Sequence, residues 1–299
     1  MTAEIKISNI RRVPIEFEEQ VRGIYKEMTK LYDCDFAFPQ ILMADIQLTT
    51  DRYTLRDMGL SVGGRMILSS SLVLDNRDDG VYVSAHELSE KLFGNQIESD
   101  GIVGRKRFED LQSMKSAVRT LECTGDIKKD DYMRLLEMYR DCIYSEVFRE
   151  GSAEAITLHT LSSMNPYKVL ASDKRQKVVS GHRSVLAHKV FGNRNIFSSL
   201  DGLIQDVETM ITDDNVQSYM PQMNQQIGLI EGNIPVMRTV QTEYGFVLAD
   251  RIFGEYGSKE LMVVADLFPP NKAIYFEGVD TFLDEFGERI DKAIENKKV

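Results

Sequence analysis

The segment Val83-Ser84-Ala85-His86-Glu87-Leu88-Ser89-Glu90-Lys91-Leu92-Phe93-Gly94 carries both a helical pattern and a set of reactive side chains. Leu88 and Leu92 stand one turn apart and would pack a helix onto a core. His86 and Glu90 are likewise i and i+4, so they project together from another face. An imidazole and a carboxylate presented that way from rigid backbone suit a metal ion. Glu87 follows the first of them, in the place of a general base that takes a proton from water. Upstream, the polar turn Asp75 to Gly80 offers carboxylates to cap exposed N–H groups. Gly94 stands where a C-terminal cap would. The pattern predicts a helix over 81–93.

Outward from this segment, Ile15 to Tyr32 reads as an amphipathic helix, with Phe17, Val21, Ile24, Met28 and Leu31 at three- or four-residue steps. Residues 41–50 read as a strand. Gly63-Gly64 breaks the chain before a second short strand, Arg65 to Ser69, which leads into the His86 helix. Downstream the reading is helical: about 106–122, 130–148, Glu150 to about Ser162, then shorter pieces through 171–234. A strong helix follows from Pro235, and further ones at 259–268 and 280–295. Asn165-Pro166 should end the Glu150 helix, because the residue before proline avoids helical backbone. The expected fold is α+β and mostly helical, with a small N-terminal sheet. Residues 1–104 form a mixed α/β part and residues 105–299 a helical part.

Length and composition narrow the class. The chain has 299 residues, 42% of them hydrophobic and 28% charged, as expected of a globular protein with a sizeable core. Thirty-six Lys and Arg against 47 Asp and Glu leave a net charge of −11, which repels nucleic-acid phosphates and anionic membranes. No apolar run could span a bilayer, and the N-terminus lacks the apolar region of a signal peptide. Cys34, Cys123 and Cys142 are far apart and odd in number. They read as reduced thiols of a cytoplasmic protein rather than a thiolate metal site.

A second segment, Phe148-Arg149-Glu150-Gly151-Ser152-Ala153-Glu154, resembles the Glu-Gly-x-Ala-Glu segment of the gluzincin metallopeptidases. The His86 segment resembles their His-Glu-x-x-His motif, with Glu90 in place of the second histidine. The lead-in strand resembles the strand that lies beside the active-site helix in zincin-like folds and holds substrate. Glu243 to Gly257 resembles, with less specificity, a helix that often follows. Together these imply a zincin-like fold whose N-terminal sheet packs on an active-site helix.

The resemblance implies that His86, Glu90 and Glu150 hold a metal, that Glu87 activates water, and that Glu154 orients a ligand. Tyr244 would stabilise an oxyanion. Gly151, Ser152 and Ala153 would let the second helix approach the first. The implied cofactor is zinc. One imidazole with two carboxylates is an oxygen-rich set, so manganese, iron or no metal at all stand beside it. The implied function is a metal-dependent hydrolase that cleaves a peptide or protein substrate near Arg65 to Ser69. Losing the second histidine equally suits an inactive zincin-like protein that serves as a binding or regulatory module. A third reading is a helical adaptor in which Glu150 is far from His86.

The remaining candidates read as structural. His159 is nine positions after Glu150, on the opposite helix face. His182 and His188 are six apart and share no face. Tyr256 reads as packing, and Asp213-Asp214 as a solvated turn. No phosphate loop and no nucleophile elbow is present.

Overall fold

Every third or fourth residue of the first helix is large and apolar, and its geometry follows from that. In α1 (Ile15–Tyr32), Phe17, Val21, Ile24, Met28 and Tyr32 are all buried on one stripe. Each such side chain contributes about 1.5–3 kcal/mol on leaving water. Asp33 closes the helix in left-handed backbone at φ 51°, its N–H bonding the Thr29 carbonyl. The computed structural model describes residues 4–33, 36–49, 54–55, 59–62, 64–99 and 128–187. It also describes 205, 208–219, 246, 249–250, 253–254 and 257.

Five strands form one mixed sheet: β1 (Glu4–Arg12), β2 (Gln40–Thr49), β3 (Thr54–Leu55), β4 (Gly59–Val62) and β5 (Arg65–Ser69). The order is β1-β2-β5-β4, and β3 pairs with the far end of β2. β1 and β2 are antiparallel, β2 and β5 parallel, β5 and β4 antiparallel. The Val62–Arg65 pair closes a two-residue hairpin in which Gly64 adopts φ 77°. Such a turn needs positive φ, which glycine supplies without strain. The expected strand at 41–50 is therefore β2, shifted by one residue, and that at 65–69 is β5.

β1, β3 and β4 were not expected. β1 and β4 had a local signal: Ile5 and Ile7 alternate with Lys6 and Ser8, and Gly63-Gly64 separates two short runs. β1 carries Lys6, Arg11 and Arg12 and a bulge between Ser8 and Arg11, features that discourage pairing with another chain at an edge.

After β5 the chain turns into the short helix α2 (Ser70–Leu74) and then α3 (Arg77–Ser99). α3 starts four residues before the expected 81 and runs on past Gly94. Gly94 is not among the positive-φ glycines of the described residues, and a glycine inside a helix costs only about 1 kcal/mol against alanine. Val81, Ala85, Leu88 and Leu92 form the buried stripe of α3.

One long helix, α4 (Lys129–Ser163), replaces the two expected at 130–148 and 150–162. It passes through Gly151 because Gly151 to Leu158 are buried without a break, and packing outweighs glycine's weak helix preference. Lys129 N–H, at its start, bonds the Asp213 carboxylate at 2.8 Å, so the Asp213 turn caps a helix far away in sequence. α4 ends at Ser163 as the Asn165-Pro166 pair predicts. A 3₁₀ turn (Asn165–Tyr167) then leads into α5 (Lys168–Ala187), one helix where shorter pieces were expected. The helices expected at 106–122, 259–268 and 280–295 lie outside the described residues, as does most of that from Pro235.

The described molecule is thus α+β and mostly helical with a small mixed sheet. One apolar cluster joins α1, β2, β5, α3, α4, Ala171 of α5, Phe246 and Ala249. The expected boundary at 104/105 lies outside the described residues. Among those residues no helix is long and apolar enough to cross a membrane.

His159 of α4 sits inside this packing, with Nδ1 3.1 Å from the Tyr32 hydroxyl and the Phe253 ring centroid 4.2 Å from its own. Burial, and then Arg175, lower its pKa below the ordinary 6.5, while Asp250 acts in the opposite sense. The folded protein therefore holds this imidazole neutral where the unfolded chain takes up a proton. Its contribution to stability is fully present above the unfolded value and is lost as pH falls through the lowered folded one. Urea unfolding of wild type at pH 7.5 and 5.5 should show a drop, and His159→Gln, which still accepts from Tyr32, should show a smaller one. Equal drops would refute this account.

Candidate metal centre

α3 packs more closely on α4 than on any other described helix, and small or hydroxyl-bearing residues line the contact. Ser89 Oγ lies 2.9 Å from Thr157 Oγ1. Each hydroxyl also lies within hydrogen-bond reach of a carbonyl one turn back on its own helix, Ala85 for Ser89 and Ala153 for Thr157, so one donates to its carbonyl and the other donates across the contact. Ser152 and Ala153 are fully buried, consistent with the expected close approach. His86 pairs with Glu154 and Ser89 with Thr157, so the two helices advance in the same direction past one another.

This packing sets the buried carboxylate of Glu154 beside His86. Glu154 Oε2 is 3.1 Å from His86 Nδ1, with the carboxylate side chain 2% exposed and the imidazole 20%. The Tyr82 hydroxyl, one turn before His86, donates to the other oxygen, Oε1. Burial, and then the charge of Glu154, push the Tyr82 phenol well above its ordinary range, so it stays protonated and remains a donor. On the other side of the ring, His86 Nε2 faces Glu90 Oε1 at 3.7 Å.

Two donors each about 2.0–2.2 Å from a tetrahedral ion sit about 3.4 Å apart. The His86–Glu90 pair thus needs to close by only a few tenths of an ångström to share a metal. A carboxylate on the second ring nitrogen is what metal-binding histidines ordinarily have, because it fixes the tautomer that leaves Nε2 to the metal. The donor set therefore fits a divalent ion as far as two ligands go.

Glu87 points to a different neighbour. It is 9% exposed and lies against Gly59 of β4: a Cβ on Gly59 would stand 2.9 Å from Glu87 Oε1 and 2.8 Å from Val83 Cγ1. The absent side chain at 59 is what lets the Glu87 face of α3 approach the strand. β4 is the outer strand of the described sheet on this side, whereas β5 is paired on both flanks, with β2 and with β4. The expectation that substrate lies along Arg65 to Ser69 is corrected accordingly. The backbone groups of β5 are used within the sheet, and the strand with one flank unpaired beside α3 among the described residues is β4.

Of the expected site residues, the structure brings His86, Glu90 and Glu154 together and sets Glu87 at the β4 edge. The backbone of residue 150 lies on α4 one turn before Glu154, toward the Tyr82 turn of α3, and the Glu150 side chain lies outside the described residues. Tyr244, Tyr256 and His188 also lie outside them, as do the side chains of His182 and Cys142. Among the described residues no group of three or more His, Cys, Asp or Glu converges as a metal site. Tyr82 and Gly59 were not anticipated. Tyr82 had a signal, its i−4 spacing from His86, but nothing local marks Gly59.

Comparison with family models, curated proteins and solved structures yields no match for this chain.

Proposed function

We propose that this protein is a metal-dependent hydrolase of zincin-like, gluzincin type that cleaves peptide bonds in a peptide or protein substrate in the cytoplasm. The observation that carries the reading is His86 gripped at Nδ1 by a buried carboxylate, with Nε2 facing Glu90 at 3.7 Å. His86, Glu90 and Glu150 would hold zinc, or manganese or iron. When bound, the ion would polarise the scissile carbonyl and lower the pKa of water. Glu87 takes the proton from the attacking water at a carboxylate oxygen and returns it to the leaving amine. The flank of β4 that is outermost in the described sheet would supply main-chain N–H and C=O groups to an extended substrate. Glu154 keeps the His86 ring in one orientation. Tyr244 would stabilise the oxyanion.

A second reading rests on the same distances. An imidazolium between Glu90 and Glu154 is held by two carboxylates without any ion, which suits an inactive scaffold used as a binding or regulatory module.

Elemental analysis of protein purified without added metal or chelator separates the two. Wild type should carry near-stoichiometric metal, and Glu150→Ala and Glu90→Ala should lose it. A peptide screen then follows, with Glu87→Gln expected to retain metal and lose at least about 100-fold in rate. No metal in wild type, and none taken up on titration, would exclude the hydrolase and leave the binding module.

A further inference from the structure

We infer that Tyr82 is a positioning residue that sets the tautomer and orientation of His86 by way of Glu154. As a functional role this rests on the reading of His86 as a ligand; as a statement about the imidazole it can be measured on metal-free protein.

The geometry is a relay on one helix face closed by a second helix. Tyr82 and His86 are i and i+4 on α3, so their side chains rise side by side. Glu154, from α4, receives both: the Tyr82 hydroxyl on Oε1 and His86 Nδ1 on Oε2. A carboxylate held at one oxygen alone can rotate and let the ring turn with it. Held at both, it has one orientation, and so does the ring. The proton of neutral His86 is then on Nδ1 and its lone pair on Nε2, on the Glu90 side. This reverses the preference of free imidazole side chains, which carry the proton mainly on Nε2.

Tyr82 is itself braced. The ammonium of Lys174, from α5, lies 4.5 Å from the centroid of its ring and pairs with Asp79 at 2.5 Å, three residues before Tyr82 on α3. Lys174 is 17% exposed, so the cation is partly withdrawn from water where it meets the ring. Three helices therefore converge on the phenol, and the only atom it directs at another polar side chain within this relay is the hydroxyl on Glu154. Phenylalanine would keep the packing and the cation above the ring but remove the donor. Glu154 Oε1 would be left buried and without that partner.

The test is a long-range proton–nitrogen correlation on uniformly ¹⁵N-labelled, metal-free protein. The chain has four histidines, and His86→Gln assigns the one of interest. Wild-type His86, above its titration, should show the Nδ1–H tautomer. Tyr82→Phe should move it toward Nε2–H, with the other histidines unchanged as the check on folding. Zinc affinity should fall about 10- to 100-fold, as is usual when the outer partner of a ligand is disturbed. His86 with its proton on Nε2 in wild type, or still on Nδ1 in folded Tyr82→Phe, overturns the inference. If Tyr82→Phe does not fold, the wild-type tautomer decides: Nδ1–H sustains it and Nε2–H overturns it. A tautomer change in Tyr82→Phe with no zinc uptake by wild type sustains the positioning role and removes only the metal reading. Zinc uptake with no change of tautomer does the reverse.

Discussion

Replacing Glu154 by alanine is expected to lower the free energy of unfolding by about 3–5 kcal/mol, a large part of the total stability of an ordinary domain. The carboxylate is 1% exposed as a residue and receives hydrogen bonds from Tyr82 and His86. Its removal leaves two polar groups at a helix–helix contact without their acceptor. Each such group costs about 1–3 kcal/mol, and the vacated volume adds to this. Glu154→Gln keeps the shape and one acceptor oxygen, so its cost should be roughly half as large. Urea unfolding of the two variants beside wild type provides the measurement. A loss in Glu154→Ala below about 0.5 kcal/mol, the ordinary range for a surface substitution, would mean that the carboxylate does not join α3 to α4.

Gly80→Ala is the second substitution with a large expected effect, and its sign is opposite to that of helix propensity. Gly80 lies in the first turn of α3, where alanine would ordinarily stabilise by up to about 1 kcal/mol. A Cβ at this position would stand 2.3 Å from the Leu72 carbonyl oxygen, 3.0 Å from its carbon and 3.2 Å from the Phe17 ring. The first two are backbone atoms of α2, which no side-chain rotation can move. α3 must shift off α2, and the shift propagates along a rigid helix toward Glu87 and its contact with β4. Forcing extra volume into a packed interior costs about 1–3 kcal/mol, so a net destabilisation of about 2 kcal/mol is expected. The midpoint of urea unfolding should fall with an unchanged denaturant dependence. An unchanged or higher midpoint would show that α2 and α3 are not in this contact.

Both substitutions show where local reading of the chain succeeds and where it stops. The bounds of α1 were legible because its apolar side chains repeat with the period of a helix, although Tyr32 rather than the expected Leu31 completes the buried stripe. The pairing of His86 with the Glu150–Glu154 segment came from resemblance, and the structure places Glu154 on the ring nitrogen of His86. β1 and β4 were missed although alternation and a Gly-Gly turn marked them. α4 was read as two helices, 130–148 and 150–162, because local pattern alone does not join them, while the burial that carries one helix through Gly151 comes from helices distant in the chain.

The sequence by itself determined the acidic surface, the helical stripes of α1 and α3, and the sharing of one face of α3 by Tyr82, His86 and Glu90. These follow from residue type and a fixed period of 3.6, which need no partner. Tertiary structure alone decided that Glu154 rather than water meets His86 Nδ1, and that a lysine of α5 lies over Tyr82. It alone decided that Glu87 faces a glycine of β4, and that β4 rather than β5 is the outer strand of the described sheet. Each of these joins groups between 28 and 92 positions apart or depends on strand order. Contacts at that separation are set by which buried faces find one another, and no local periodicity encodes that choice.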